Sequence, residues 1–278
     1  VARLSRWLGR IIERAMDRHV SRAAWAQVFR QKYLDELKQQ PRYADPRRLA
    51  RFEHRVFSQG GEDGVVREIF RRIGEGDRTF LEIGVGDGLE NNTAFLLMQG
   101  WRGVWIDGSA KNAALIRSTC ASDIAAGRLT LVESLVAAEN VSNLIAAATT
   151  SPIDLFSLDV DRNTHHIWAA LAALKPRVAV IEYNAVFPAD VVWTADYDPA
   201  KWWNGTLYFG ASLKALELMG AKLGYALVGC DLAGVNAFFV RNDLVGEHFL
   251  APFTSENHYE PVRYYLHGRL GHPPALHD

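Results

Sequence analysis

From residue 58 onward, short apolar runs of strand length alternate with stretches of helical period, and this alternation limits the fold more than any other feature of the chain. The runs lie at Thr79–Ile83, Gly103–Ile106, Leu129–Val132, Leu155–Leu158, Val178–Glu182, Ala226–Cys230 and Ala237–Val240. Helical spacing fits Glu62–Ile73, Asn91–Gln99, Lys111–Ala121, Val141–Ala148, His165–Leu174 and Ser212–Leu223. Strands alternating with helices imply a mostly parallel sheet covered on both faces. Only Asp231–Asn236 separates the last two runs. Parallel neighbours need a longer crossover, so this pair is expected to form an antiparallel hairpin at one edge. The expected fold is a doubly wound α/β sheet of seven strands, mostly parallel and Rossmann-like.

The first 57 residues read differently. They hold 14 Lys/Arg against 6 Asp/Glu, a local +8, whereas the rest carries 17 against 26, or −9. The near-neutral total of −1 thus hides a basic head on an acidic body, and nucleic acid is not expected as a partner. Residues 1–57 are expected to be a helical basic extension, and residues 58–278 the α/β domain. Within the extension, Leu4, Trp7, Leu8, Ile11, Ile12, Ala15 and Met16 share one helical face, and a second helical stretch covers Ala23–Leu37. The 4–16 face fits peripheral attachment to an anionic membrane or contact with a partner protein. It fits equally a helix laid on its own domain or across a homodimer interface, or an Arg-rich targeting peptide. No run approaches the roughly 18 apolar residues of a membrane span. Cys120 and Cys230 show no metal-type spacing, and a reduced, cytoplasmic setting, with or without membrane association, is expected.

The chemistry concentrates in Phe80-Leu-Glu-Ile-Gly-Val-Gly-Asp-Gly88, an apolar strand that runs into a glycine-rich turn. Glycines there let the backbone approach a ligand closely. A dinucleotide fingerprint, G-x-G-x-x-G counted from Gly84, would place its third glycine at position 89, which is Leu89. The order present is acid-x-G-x-G-x-G, with Glu82 as the acid and Gly84, Gly86 and Gly88 as the glycines. A second acid, Asp107, ends the run Trp101-Arg-Gly-Val-Trp-Ile-Asp107, where a carboxylate can accept both hydroxyl hydrogen bonds of a ribose.

This order resembles the first motif of class I S-adenosylmethionine (SAM)-dependent methyltransferases. More narrowly, Ser58-Gln-Gly-Gly-Glu-Asp-Gly64, the stretch from Glu82 to Thr93, and Ser157-Leu-Asp-Val-Asp161 resemble FkbM-type methyltransferases. That similarity is distant and spans residues 58 to about 245. FkbM-type proteins more usually carry D-x-G-A-N-x-G and D-x-E-G where this chain has Glu82-Ile-Gly-Val-Gly-Asp-Gly and Asp159-Val-Asp-Arg. The resemblance implies methyl transfer from SAM, with a hydroxyl on a small molecule, sugar or glycan as acceptor. The alternative is a non-catalytic SAM- or nucleotide-binding module that serves as an assembly partner. The resemblance also implies that Glu82 and the glycines hold the methionine end of SAM, Asp107 the ribose and Glu133 the adenine. Gln59 and Glu62 would close over the cofactor.

The mouth of such a site lies at the carboxyl ends of strands four and five. Strand four ends in Asp159-Val-Asp161 and strand five in Glu182-Tyr-Asn184. Residues two apart on a strand share a side, so Asp159, Asp161, Glu182 and Asn184 are expected to converge. Such oxygen ligands suit Mg²⁺ or another divalent cation; without metal, the same groups would bind the SAM ammonium and an acceptor hydroxyl. Asp159 therefore counts with both the cofactor and the metal set. For the general base, His165 and His166 come first and Asp161 second. The segment Val191–Phe209, with Trp193, Tyr197, Trp202, Trp203 and Tyr208, is expected either to overhang the pocket as an acceptor wall or to pack partly in the core.

Overall fold

The computed structural model describes residues 28–201 and 203–267. The amphipathic 4–16 stretch and Trp202 lie outside the described residues. The chain divides into two compact units between Asp45 and Pro46. In the first, residues 28–38 are helical (α1) and Pro41–Tyr43 form a 3-10 turn.

The second unit is built on a sheet of seven strands: β1 (Thr79–Ile83), β2 (Arg102–Asp107), β3 (Leu129–Glu133), β4 (Leu155–Leu158), β5 (Val178–Glu182), β6 (Tyr225–Cys230) and β7 (Asn236–Arg241). Their order across the sheet is β3-β2-β1-β4-β5-β7-β6. The first five are parallel, and β7 enters antiparallel between β5 and β6. Every strand lies within one residue of its expected bounds at either end. β1, β4, β5, β6 and β7 are buried on both faces, which is why they read as near-continuous apolar segments.

Alternation along each strand divides the core into two layers. Leu81, Ile83, Val104, Ile106, Phe156 and Ile181 face one side, with Ile167 and Trp168 of α7 (Thr164–Ala170) and Leu216 of α8 (Leu213–Leu223). Phe80, Trp105, Val180 and Phe238 face the other, with Val65, Ile69 and Phe70 of α2 (Glu62–Ile73) and Ile116 of α4 (Ala110–Thr119). Ser109 caps α4 by accepting the Asn112 N–H, and Ser212 caps α8 by accepting the Ala215 N–H. Two further helices are short: α3 (Ala94–Met98) and α5 (Ala121–Ala125). The expected helix from Asn91 therefore begins three residues late, at Ala94. Between β3 and β4 runs α6 (Val141–Ala148).

Residues 46–57, which the sequence analysis assigns to the basic extension, pack on the sheet domain. Leu49 is fully buried beside Gly229 of β6. Arg72 of α2 donates to the carbonyls of Pro46, Arg47 and His248, and its guanidinium lies 5.1 Å from the Phe52 ring and 5.5 Å from Phe249. Glu68, one turn earlier, holds Arg72 in place and also pairs with Arg71. Hydrogen bonding from Arg71, with help from Arg72, lowers the Glu68 pKa below its ordinary value despite burial.

A carboxylate lowered in the folded state stabilises the fold above its unfolded pKa, and that contribution is lost as pH falls through the folded value. Glu68→Gln is expected to destabilise the domain by about 2 kcal/mol at pH 7. That is below the roughly 3–5 kcal/mol of a fully buried pair, because solvent screens the exposed Arg71. Urea unfolding of both proteins should show the gap narrowing below about pH 4, where the wild-type carboxyl takes up its proton.

Candidate functional site

A cavity of about 820 Å³ opens at the carboxyl ends of β1, β2, β4 and β5. This is the position that parallel α/β sheets use for ligands, at a size within the roughly 300–1,000 Å³ of small-molecule sites. A smaller recess of about 280 Å³ shares Gln59, Gly84, Gly86 and Asp159 with it.

Glu82 sets the local architecture. It is 3% exposed and its carboxylate accepts five hydrogen bonds. The donors are Asn91 Nδ2 (2.7 Å), Asn92 N (2.9 Å), Thr93 N (3.0 Å), Thr93 Oγ1 (2.5 Å) and Ser157 Oγ (2.9 Å). Burial pushes its pKa up, opposed by the hydrogen bonds from Thr93, Asn92, Asn91 and Ser157. Glu82 thus takes the amides of Asn92 and Thr93, just ahead of α3. Trp105 Nε1 completes the network by donating to Thr93 Oγ1 at 2.7 Å.

The turn after β1 has two critical glycines. Gly84 has φ +84°, and a Cβ there would lie 1.6 Å from the Asp159 carbonyl oxygen, so only glycine lets the loops after β1 and β4 touch. Gly86 has φ +59° and open space where a Cβ would be. Its N–H donates to Asp107 Oδ2 at 2.9 Å. The other oxygen of Asp107 accepts Ser109 N (2.8 Å) and Asn112 Nδ2 (3.3 Å). The glycine turn and the second acid thus meet on the cavity wall, with the carboxylate held in one orientation. Gly88 lies outside the cavity lining, beside Trp105 and Ile116.

The Ser58–Gly64 motif has a structural explanation that the sequence did not show. Asp63 Oδ2 collects the amides of Val56, Phe57 and Ser58 at 2.7–2.9 Å together with Ser58 Oγ, and so fixes the turn that brings Gln59 to the cavity. Glu62 lines the smaller recess and accepts Gly60 N–H and Asn236 Nδ2. Asn91 lines the same recess; it is 6% exposed and its Oδ1 has no hydrogen-bond partner.

Asp159, Asp161 and Glu182 come together as the strand-end reading expects, each offering an oxygen within 4.8 Å of the others. Asp161 does so with a φ of +55°, a strained value for a residue other than glycine. Asn184 does not join them. It is fully buried, donates to the carbonyls of Leu207 and Phe209, and accepts Val186 N–H. Strand β5 ends at Glu182, so the two-residue period stops there and Asn184 braces the following loop instead.

Three other assignments are corrected. Glu133 ends the edge strand β3, outside the cavity lining, and pairs with Arg117 at 2.8 Å; Ser134 and Leu135 line the cavity in its place. His165 is 2% exposed, neither ring nitrogen has a hydrogen-bond partner, and burial together with neighbouring His166 lowers its pKa to about 3. His166 places Nε2 3.1 Å from the Ala195 carbonyl. Neither histidine lines the cavity.

Of the aromatic segment, Trp203 and Phe209 line the cavity with Pro199 and Lys201, whereas Trp193 stacks on Phe187 at 4.4 Å. Tyr264 joins from the C-terminal region, a contribution without a local sequence signal.

The sheet order, with its one antiparallel strand, and the cavity at the carboxyl ends of the parallel strands give the doubly wound α/β arrangement expected from the sequence. No protein-family model and no curated protein matches the chain. Among solved structures it is similar to the N-terminal domain of EvdMO1 with SAH bound, at 14% identity over 64% of this chain and 79% of that one, with a TM-score of 0.43. Cofactor-bound Rv0187 from MTB shows 20% identity over 63% and 78% of the two chains, TM-score 0.41. An O-methyltransferase from Bacillus cereus in complex with SAH shows 16% identity over 77% and 88%, TM-score 0.41. These are distant likenesses.

Gly84→Ala is expected to force the loops after β1 and β4 apart and to lower the urea midpoint clearly. Gly86→Ala, with no atom to meet, should cost only the positive-φ strain of about 1–2 kcal/mol. Parallel unfolding curves of the two variants test this ordering.

Proposed function

We propose that this protein is a SAM-dependent methyltransferase acting on a hydroxyl of a small molecule, sugar or glycan, and a distant relative of the FkbM-type enzymes. The observation that carries the reading is the meeting of Gly86 N–H with Asp107 Oδ2 at 2.9 Å on the cavity wall. It sets a backbone open to close approach next to an oriented carboxylate, the pair that an adenosine needs. In this reading Asp107 accepts the ribose hydroxyls, and Gly108, Ser134 and Leu135 border the adenine. The methionine end enters the smaller recess, where its ammonium satisfies Asn91 Oδ1 among the carboxylates of Glu62 and Asp159.

A pyrophosphate fits poorly. The amides of Asn92 and Thr93, which would start the helix after the glycine turn and face a phosphate, are already given to Glu82. Glu62, Glu82, Asp87 and Glu90 line the recess, a surround that favours a cationic group such as the SAM ammonium over a doubly charged pyrophosphate.

SAM supplies an electrophilic methyl group, so the protein's part is to align the acceptor and take its proton. With the histidines outside the cavity, Asp161 is the base we assign, held toward it by a strained backbone and flanked by Asp159 and Glu182. Trp203, Phe209 and Tyr264 offer aromatic faces of the kind that stack on sugar rings. A second reading rests on the three carboxylate oxygens lying within 4.8 Å of one another. An oxygen-only set of this kind suits Mg²⁺, and activity unchanged by a chelator would end that reading.

Calorimetric titration is expected to show one SAM site per chain, with Asp107→Ala weakening it by about tenfold or more, the loss of hydrogen bonds to a charged group. Unchanged affinity in that variant would contradict the assignment. In a screen of hydroxylated acceptors read by mass spectrometry, a gain of about 14 Da marks transfer of one CH₂ and separates the enzyme from a binding module. With that acceptor, Asp161→Asn is expected to lower kcat by about 10²–10⁴ while SAM affinity stays within about threefold.

A further inference from the structure

We propose that Tyr197 is a latch on the wall of the cofactor cavity, and that its release sets the rate at which the bound nucleoside leaves. The inference rests on the SAM reading for the identity of the ligand, but its geometry does not depend on that ligand.

Two loops line the cavity from different parts of the sheet: residues 134–140, between β3 and α6, and the insertion between β5 and α8. Each is braced internally. In the first, Asn140 accepts Ala137 N–H and donates to the Leu135 carbonyl, both at 2.9 Å. In the second, Ser212 N–H donates to Trp193 O and Ala195 N–H to Gly210 O, both at 2.9 Å, forming a short stem. Asn163 exchanges two hydrogen bonds with Asp198, at 2.9 and 3.3 Å, and ties the insertion to the end of β4.

Tyr197 joins the two braced loops. Its hydroxyl donates to Glu139 Oε2 at 2.5 Å and accepts Ala138 N–H at 3.1 Å. Its ring lies 5.0 Å from that of His166, which lies 3.9 Å from His165. His166, one of the two histidines that sequence position points to as bases, thus forms the seat of this tyrosine, with His165 packed behind it. Ser134, Leu135 and Ala137 line the cavity on one side of the contact, and Pro199, Lys201 and Trp203 on the other. The hydrogen bond from Tyr197 holds Glu139 below its ordinary carboxylate value, so the acceptor stays charged through neutral pH.

Glu139 is exposed, so water can replace either partner and the contact opens and closes rather than locking. Two solvent-accessible hydrogen bonds of this kind change an opening equilibrium by about three- to tenfold. That is too weak to decide whether a ligand binds and large enough to show in how fast it leaves.

The test uses Tyr197→Phe in the full chain, which keeps the ring on its histidine seat and removes only the hydroxyl. Hydrogen–deuterium exchange of the ligand-free protein is expected to quicken about three- to tenfold in residues 134–140 and 195–201, with the β1 peptide unchanged. Stopped-flow displacement of S-adenosylhomocysteine (SAH) is expected to show release faster by a similar factor. Glu139→Gln, which keeps a neutral acceptor, should move both readouts in the same direction by less. Exchange within twofold of wild type in both loops would overturn the latch. Faster exchange with an unchanged release rate would overturn its role as a gate. If the wild-type chain binds no SAH, the cofactor reading and the gate fail together, while the exchange data still decide whether Tyr197 couples the loops.

Discussion

A carboxylate buried at the centre of the sheet, with five donors turned toward it, organises this site. Glu82 lies on β1, the third strand in from the edge, and its hydrogen bonds reach Asn91, Asn92, Thr93 and Ser157. Those bonds join the start of α3 to strand β4 and, through Thr93, to Trp105 on β2. A buried charge is tolerated only when its hydrogen-bonding capacity is met. Meeting it here takes up the amides of Asn92 and Thr93 just ahead of α3, so these donors are not open to a phosphate.

In the proposed reading, that arrangement shapes the ligand preference of the cavity. With the amides taken and acids lining the recess, the polar contacts left suit hydroxyls and ammonium groups more than a diphosphate. Asp107 extends the same logic one strand over, since Gly86, Ser109 and Asn112 orient its carboxylate while it faces the cavity. At the other end, Asp159, Asp161 and Glu182 stand together where strands β4 and β5 stop. Supporting residues, more than the acids themselves, decide what each carboxylate can do.

The fold was legible because strands buried on both faces leave unbroken apolar runs, and the hairpin was legible because six residues cannot make a parallel crossover. The acids at strand ends could be read from a period of two while the strand lasted. Asn184 fails because β5 has already ended at Glu182, and Glu133 because β3 is an edge strand whose last side chain meets Arg117 instead of the cavity. The histidines fail for a different reason. Position after a strand says nothing of how a covering insertion packs, and here the His166 ring, backed by His165, becomes a seat for Tyr197. Asp63 and Asn91 lie in stretches that carry the resemblance but without any sign of their roles, and Tyr264 carried no pattern, because these roles are set by contacts that only the folded chain brings together.

The central claim is that Glu82 and its donors make this a site for an adenosyl sulfonium ligand and against a dinucleotide. Side-by-side calorimetric titration of the wild-type chain with SAH and with NAD⁺ tests it most directly. The account predicts saturable binding of one SAH per chain and no measurable heat of binding for NAD⁺. NAD⁺ binding as tightly as SAH, or in its place, would contradict it.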